Sequence, residues 1–163
     1  MLEPILQDLK SNFSQVPPAV AFSRLLMAAI LGGIVGFERE RRKKPAGLRT
    51  HVLVSIAACL FIVISQELSQ LDFGAGEDVE TQIDPLRLIE AVTAGVAFLA
   101  AGIIFTSGGE VRNITTGASM WLAGAVGLAC GAGEVLLALM ATALVVIILS
   151  GLRQIERLFG THT

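Results

Sequence analysis

Apolar residues gather in five runs along the chain, separated by short polar or charged stretches. The runs cover about Ala19 to Phe37, Leu48 to Glu67, Pro85 to Phe105, Ile114 to Cys130 and Glu134 to Leu152. Each approaches the ~20 residues that an α-helix needs to cross the hydrocarbon of a bilayer. The pattern predicts an all-α fold, a polytopic membrane helix bundle of about five transmembrane helices. Residues 1–18 precede it, residues 19–152 form the membrane domain, and residues 153–163 make a short cytoplasmic tail. Within the first segment Leu2, Ile5, Leu6 and Leu9 recur at helical spacing and predict a short interfacial helix. Glu3 and Asp8 stand where a signal peptide would carry basic residues, which argues against cleavage.

The interruptions decide which end of the bundle faces which compartment. Between the first two runs lie Arg39, Arg41, Arg42, Lys43, Lys44 and Arg49, the densest basic stretch of the chain. Short loops rich in Lys and Arg stay in the cytoplasm. Residues 67–84 reverse the sign, with Glu67, Asp72, Glu77, Asp78, Glu80 and Asp84 and no Lys or Arg. This is the expected extracytoplasmic loop, solvated rather than metal-binding, since the spacing of a calcium loop is absent. Arg112, Arg153 and Arg157 then join the basic side, giving an outside N-terminus and an inside C-terminus.

Local chemistry adds detail at each junction. On a helix that continues beyond the first span, Glu38 faces Arg42 and Glu40 faces Lys44 at i,i+4. Lys44, preceding Pro45, is pushed out of the helical region and ends that helix. Asp84 caps the third span, with Pro85 as its first residue. Gly95 and Gly102 are grouped with the packing glycines, Gly32 and Gly36 form a GxxxG step, and Ser119, Ala123, Gly127 and Gly131 form a small-residue stripe at four-residue spacing. Both features suit packing within one chain or between copies, so a homo-oligomer is left open.

Composition agrees with a lipid solvent. The 163 residues are 53% hydrophobic and only 16% charged, where a soluble domain carries about a quarter charged. Mean hydropathy is +0.72. The length admits one membrane domain and no substantial soluble one. The net charge of −2 says little because charge is segregated, and no basic face suited to nucleic acid exists outside the loop. Cys59 is placed near mid-membrane and Cys130 near the face opposite the basic loop. That separation argues against a disulfide, and neither has metal-ligand spacing.

Ionisable groups within a membrane invite a functional question. Arg24, Arg87 and Glu90 all lie near the outer face in this layout. Arg24 either pairs with Glu90 or Asp84, or snorkels to the interface. Thr115, Thr116 and Trp121 open the fourth span, with Trp121 expected to be packed. His51 is expected to cap the cytoplasmic end of the second span. No catalytic constellation, phosphate loop, cofactor motif or metal cluster is evident, so the reading is non-enzymatic. Helices broken at matching places in two halves, a transporter signature, are also not evident.

Three blocks resemble the MgtC/SapB family of bacterial inner-membrane proteins. They are Gly36-Phe-Glu-Arg-Glu with Ala46-Gly-Leu-Arg-Thr-His51; Asp84-Pro-Leu-Arg87 with Gly95-Val-Ala-Phe-Leu-Ala-Ala-Gly102; and Thr115-Thr116 with Trp121 and the Gly-rich end of the fourth span. Ala100, Asn113, Ile114 and Gly117 depart from the usual pattern. The resemblance implies a multi-pass plasma-membrane protein linked to magnesium limitation and to survival inside host cells. It implies regulation of other inner-membrane proteins, the ATP synthase or a transporter among them. It also marks Glu38, Arg39, Glu40, Ala46, Gly47, Leu48, Arg49, Thr50 and His51, with Asp84 and Arg87, as the functional set. Longer family members add a cytoplasmic C-terminal domain, and functions lodged there are not carried over. The leading expectation is a regulator whose basic loop meets a partner protein or anionic lipids. The rival is a small oligomeric magnesium transporter or channel lined by Arg24, Arg87 and Glu90.

Overall fold

A computed structural model describes Glu3 and residues 15–69, 84–107 and 109–159, the side chains of Pro85 and 152–159 excepted. Five long helices follow one another: α1 (Pro18–Arg41), α2 (Leu48–Leu68), α3 (Pro85–Ile103), α4 (Ile114–Ala132) and α5 (Val135–Phe159). A short antiparallel hairpin, β1 (Phe105–Ser107) with β2 (Glu110–Arg112), joins α3 to α4, pairing Thr106 with Val111. Sequence reading expects only a polar turn there. The interfacial helix expected within 1–18, most of the acidic 67–84 loop and the end of the tail lie outside the described residues.

Four helices, α1 to α4, are long and apolar enough to cross a membrane. The apolar part of α5 covers Val135–Gly151, 17 residues or roughly 25 Å at 1.5 Å per residue. Large apolar side chains point outward along all of them, Phe22, Phe61, Phe98 and Ile147 among the most exposed. Such an inverted surface is costly in water and natural in lipid, where tails are as apolar as leucine. The chain is therefore a membrane helix bundle.

Its interior is made of small residues. α1, α2 and α4 pack on one another, α3 lies against α4, and α5 covers α1 and α4. Gly32 of α1 sits so close to α2 that a Cβ there would come within 2.8 Å of the His51 carbonyl oxygen. Gly131 of α4 would meet the Cys59 carbonyl at 2.7 Å. The expected stripe of Ser119, Ala123, Gly127 and Gly131 is buried along its whole length. In lipid the close approach of backbones, rather than expulsion of water, holds helices together.

Two expectations about packing need correction. Gly95 and Gly102, grouped with the packing glycines, have nothing within 4 Å of where a side chain would begin. Gly95 borders an open groove between α3 and Val54, Ala57, Ala58 and Phe61 of α2, where the helices do not approach closely. Gly117 and Gly124 take the contact with α3 instead, against Ile104 and Val96. Cys59 and Cys130 share one buried cluster and are both free thiols, not groups at separate depths. The register of α4 on α2 brings them together: Ser119 lies beside His51, and Gly131 beside Cys59 and Ile62.

Candidate functional site

The α1–α2 junction begins with the way α1 stops. Arg42 and Lys43 close the last turn by donating their backbone N–H groups to the Arg39 and Glu40 carbonyls. Lys43 then takes a left-handed conformation, φ 53°, which reverses the chain. The helix thus ends before Lys44 rather than at the Lys44–Pro45 step. Ala46 is buried, and Gly47 precedes α2. A Cβ on Gly47 would lie 2.7 Å from Glu40 Oε2, so this side chain and the turn backbone are closely fitted.

That fit lets Glu40 reach α2. Its Oε2 accepts a 2.7 Å hydrogen bond from the Leu48 backbone N–H. The first N–H groups of a helix lack internal partners, and the helix dipole favours a carboxylate beside them. Glu40 is therefore tied to Leu48 of the next helix, whereas i,i+4 spacing pairs it with Lys44. The companion expectation holds, because Glu38 forms an ion pair with Arg42 one turn on. Glu38 also accepts from Arg39 Nε at 2.6 Å. Arg39 is only 2% exposed, so its charge is buried at the junction with this carboxylate beside it.

His51 is completely buried one turn into α2. Its Nδ1 lies 2.8 Å from the Gly47 carbonyl oxygen and its Nε2 3.1 Å from Ser119 Oγ on α4. A carbonyl can only accept, which puts a proton on Nδ1. In the neutral ring Nε2 then accepts from the Ser119 hydroxyl. The same Oγ also lies 2.9 Å from the Thr116 carbonyl oxygen, so these two acceptors compete for its single proton. His51 does not cap the start of α2, as sequence reading expects, because it donates to a carbonyl and satisfies no free N–H group; it joins that start to α4 instead. Ser119 is a functional partner that spacing reveals only as a small residue.

The junction separates its cations into two groups. Arg39 is buried, and Arg42 is half-buried against Glu38. Arg41, Lys43, Lys44 and Arg49 are exposed, and Leu48 and Thr50 are partly exposed. A rigid, internally bonded turn thus displays a positive outer surface.

At the other end of the bundle Arg24 makes neither of the ion pairs left open for it. Its Nη1 donates to Gln66 Oε1 at 2.9 Å and to the Gly131 carbonyl at 2.8 Å. It satisfies one C-terminal carbonyl of α4, where a cation is favoured. It pairs with neither Glu90 nor Asp84. Asp84 Oδ1 accepts from the Leu86 N–H at 2.9 Å, the expected cap of α3. Arg87 and Glu90 are exposed on α3, and Arg24 does not join them. Thr116 is buried, Thr115 is exposed, and Trp121 is 48% exposed rather than packed. The described residues contain no cluster of three or more His, Cys, Asp or Glu able to hold a metal ion.

Known proteins supply the remaining comparison. A protein of Haemophilus influenzae is 33% identical over 129 residues, 78% of this chain and 53% of its own. The protein named MgtC of Brucella abortus is 39% identical over 137 residues, 84% of this chain and 53% of its own. YhiD of Escherichia coli K12, whose name proposes a magnesium transporter, is 33% identical over 81% of this chain and 60% of its own. The chain spans about half the length of the curated relatives it matches. No solved structure gives a significant match. Residues 25–158 match the MgtC family, from within α1 through nearly all of α5, and the chain belongs to that family.

Proposed function

We propose that this protein is a non-enzymatic regulator in the bacterial inner membrane, acting on other membrane proteins under magnesium limitation. The observation that carries the reading is the division of charge at the α1–α2 junction. Arg39, Glu40 and His51 are used up inside the turn, which fixes the backbone, while Lys43, Lys44 and Arg49 face outward. A fixed cationic surface beside a membrane suits recognition of an acidic face on a neighbouring membrane protein, because complementary charge speeds and orients docking. The basic end is the cytoplasmic one in this reading.

Cross-linking in native membranes provides the test. Arg49→Ala should insert and accumulate normally yet lose the cross-linked partner. Undiminished capture by that variant overturns the reading.

A second reading, favoured by the name of the Escherichia coli relative, is magnesium transport by an oligomer. Glu90, exposed one turn below Leu86 on α3, would face the path between subunits. Purified protein in liposomes separates the two. Magnesium flux that disappears in Glu90→Gln supports transport, and no flux above protein-free liposomes supports regulation.

A further inference from the structure

A groove of about 430 Å³ opens between α1 and α5 at the basic end, lined by Ile34, Phe37, Glu38, Arg41, Arg42, Val146 and Ser150. From this groove we infer a binding site for one anionic phospholipid, with its phosphate against Arg41 and Ser150 and its acyl chain along Ile34, Phe37 and Val146. The volume falls in the range of about 300–1,000 Å³ typical of ligand sites.

The lining changes character along the helix axis as a lipid does. Ile34, Phe37 and Val146 form the apolar part, with Ile34 and Phe37 about half exposed. Arg41 follows Phe37 by one turn, about 6 Å at 1.5 Å per residue. Its guanidinium stands over the Phe37 ring, 5.8 Å from the centroid. Stacking of that kind holds a flexible cation in place and leaves the guanidinium edges for phosphate oxygens. Ser150 adds a hydroxyl donor from the opposite wall.

The local charge favours an anion although Glu38 lines the groove. Glu38 accepts from Arg39 and forms an ion pair with Arg42, so its negative charge is already opposed from two sides. Arg41 and Arg42 thus line the groove with that one carboxylate, and the buried Arg39 opposes it from behind. A zwitterionic lipid has a cationic headgroup that this surplus disfavours. An anionic headgroup gains roughly 1 kcal/mol per nearby Lys or Arg, about fivefold in occupancy for each. The site does not depend on the regulatory reading, which rests on Lys43, Lys44 and Arg49, none of which lines the groove.

The experiment uses the full chain purified in detergent, titrated with phosphatidylglycerol or phosphatidylcholine of identical acyl chains. Bound lipid is counted by native mass spectrometry. Phosphatidylglycerol should be retained at least fivefold better. Arg41→Gln should lose about fivefold of that preference, whereas Arg112→Gln, on the exposed hairpin, should keep it. Ser150→Trp, which fills the groove from α5, should reduce retention as well. Should Ser150→Trp fail to insert, Arg41→Gln decides alone. Equal retention of both lipids overturns the site, as does an unchanged preference in Arg41→Gln or an equal loss in Arg112→Gln. Displacement of phosphatidylglycerol by millimolar inorganic phosphate also overturns it, because the acyl chain would then contribute nothing.

Discussion

Glycines of one sequence type have opposite consequences in this bundle. A side chain at Gly127 would run into the backbone carbonyl group of Ser55, with the carbonyl carbon 2.8 Å away. Backbone cannot rotate aside as a side chain can, so Gly127→Ala must push α2 and α4 apart. Overpacking of this kind costs about 1–3 kcal/mol. Gly95→Ala meets nothing within the chain and removes the conformational freedom that makes glycine a poor helix residue. Thermal unfolding in detergent should show a clearly lower midpoint for Gly127→Ala and no loss for Gly95→Ala. Similar midpoints for the two would mean that α2 and α4 are not in this contact. Ser119 supports a second prediction at this scale. Ser119→Ala leaves the buried Nε2 of His51 without its partner, at a cost of about 1–3 kcal/mol. With His51→Leu as background the same change should cost much less. A double-mutant cycle reads the difference directly, and strict additivity would show that the two side chains do not interact.

Contacts within an element were legible in the sequence, and contacts between elements mostly were not. Glu38 and Arg42 share a helix, so the 3.6-residue repeat alone places them together. Asp84 caps α3 through residues adjacent in the chain. Glu40 satisfies the same spacing rule with Lys44, but its Oε2 goes to the Leu48 N–H. That choice depends on the reversal at Lys43, which no spacing rule contains. The partners of Arg24 are hidden from the sequence for a related reason: they come from α2 and α4, and the crossing of those helices fixes which groups it reaches. Trp121 was expected inside on depth alone, yet its face of α4 points outward. The Glu40 contact has a measurable consequence. Glu40→Ala should speed hydrogen exchange at the Leu48 amide and destabilise the start of α2 by about 1 kcal/mol, as loss of a helix cap does. Lys44→Ala should leave that amide unchanged. Faster exchange in both variants would return Glu40 to its helical partner.

The whole bundle depends on which helix ends lie together. His51, one turn into α2, contacts Ser119 of α4, and Ile104, just past α3, lies against Gly117. The beginnings of α2 and α4 and the ends of α1 and α3 therefore share one end of the molecule. Arg24, near the beginning of α1, reaches Gln66 and Gly131 and marks the other. The two ends are separated by roughly 22 Å along α1, at 1.5 Å per residue between Arg24 and Arg39. Arg39, Arg41, Arg42, Lys43, Lys44, Arg49 and Arg112 all fall at the first end, while Asp84 leads α3 in from the second. Because the excess of Lys and Arg in short loops orients membrane proteins, the first end is expected in the cytoplasm. Reporter fusions after Lys44 and after Arg112 should give a cytoplasmic signal, and a fusion after Asp78 the opposite one. Arg41, Lys43, Lys44 and Arg49 replaced together by Gln should weaken this preference, since it rests on the cations and not on the helices themselves. If the fusions after Lys44 and Asp78 report the same compartment, α2 does not cross the membrane. The cationic turn would then have no membrane side to work from, whatever its own geometry.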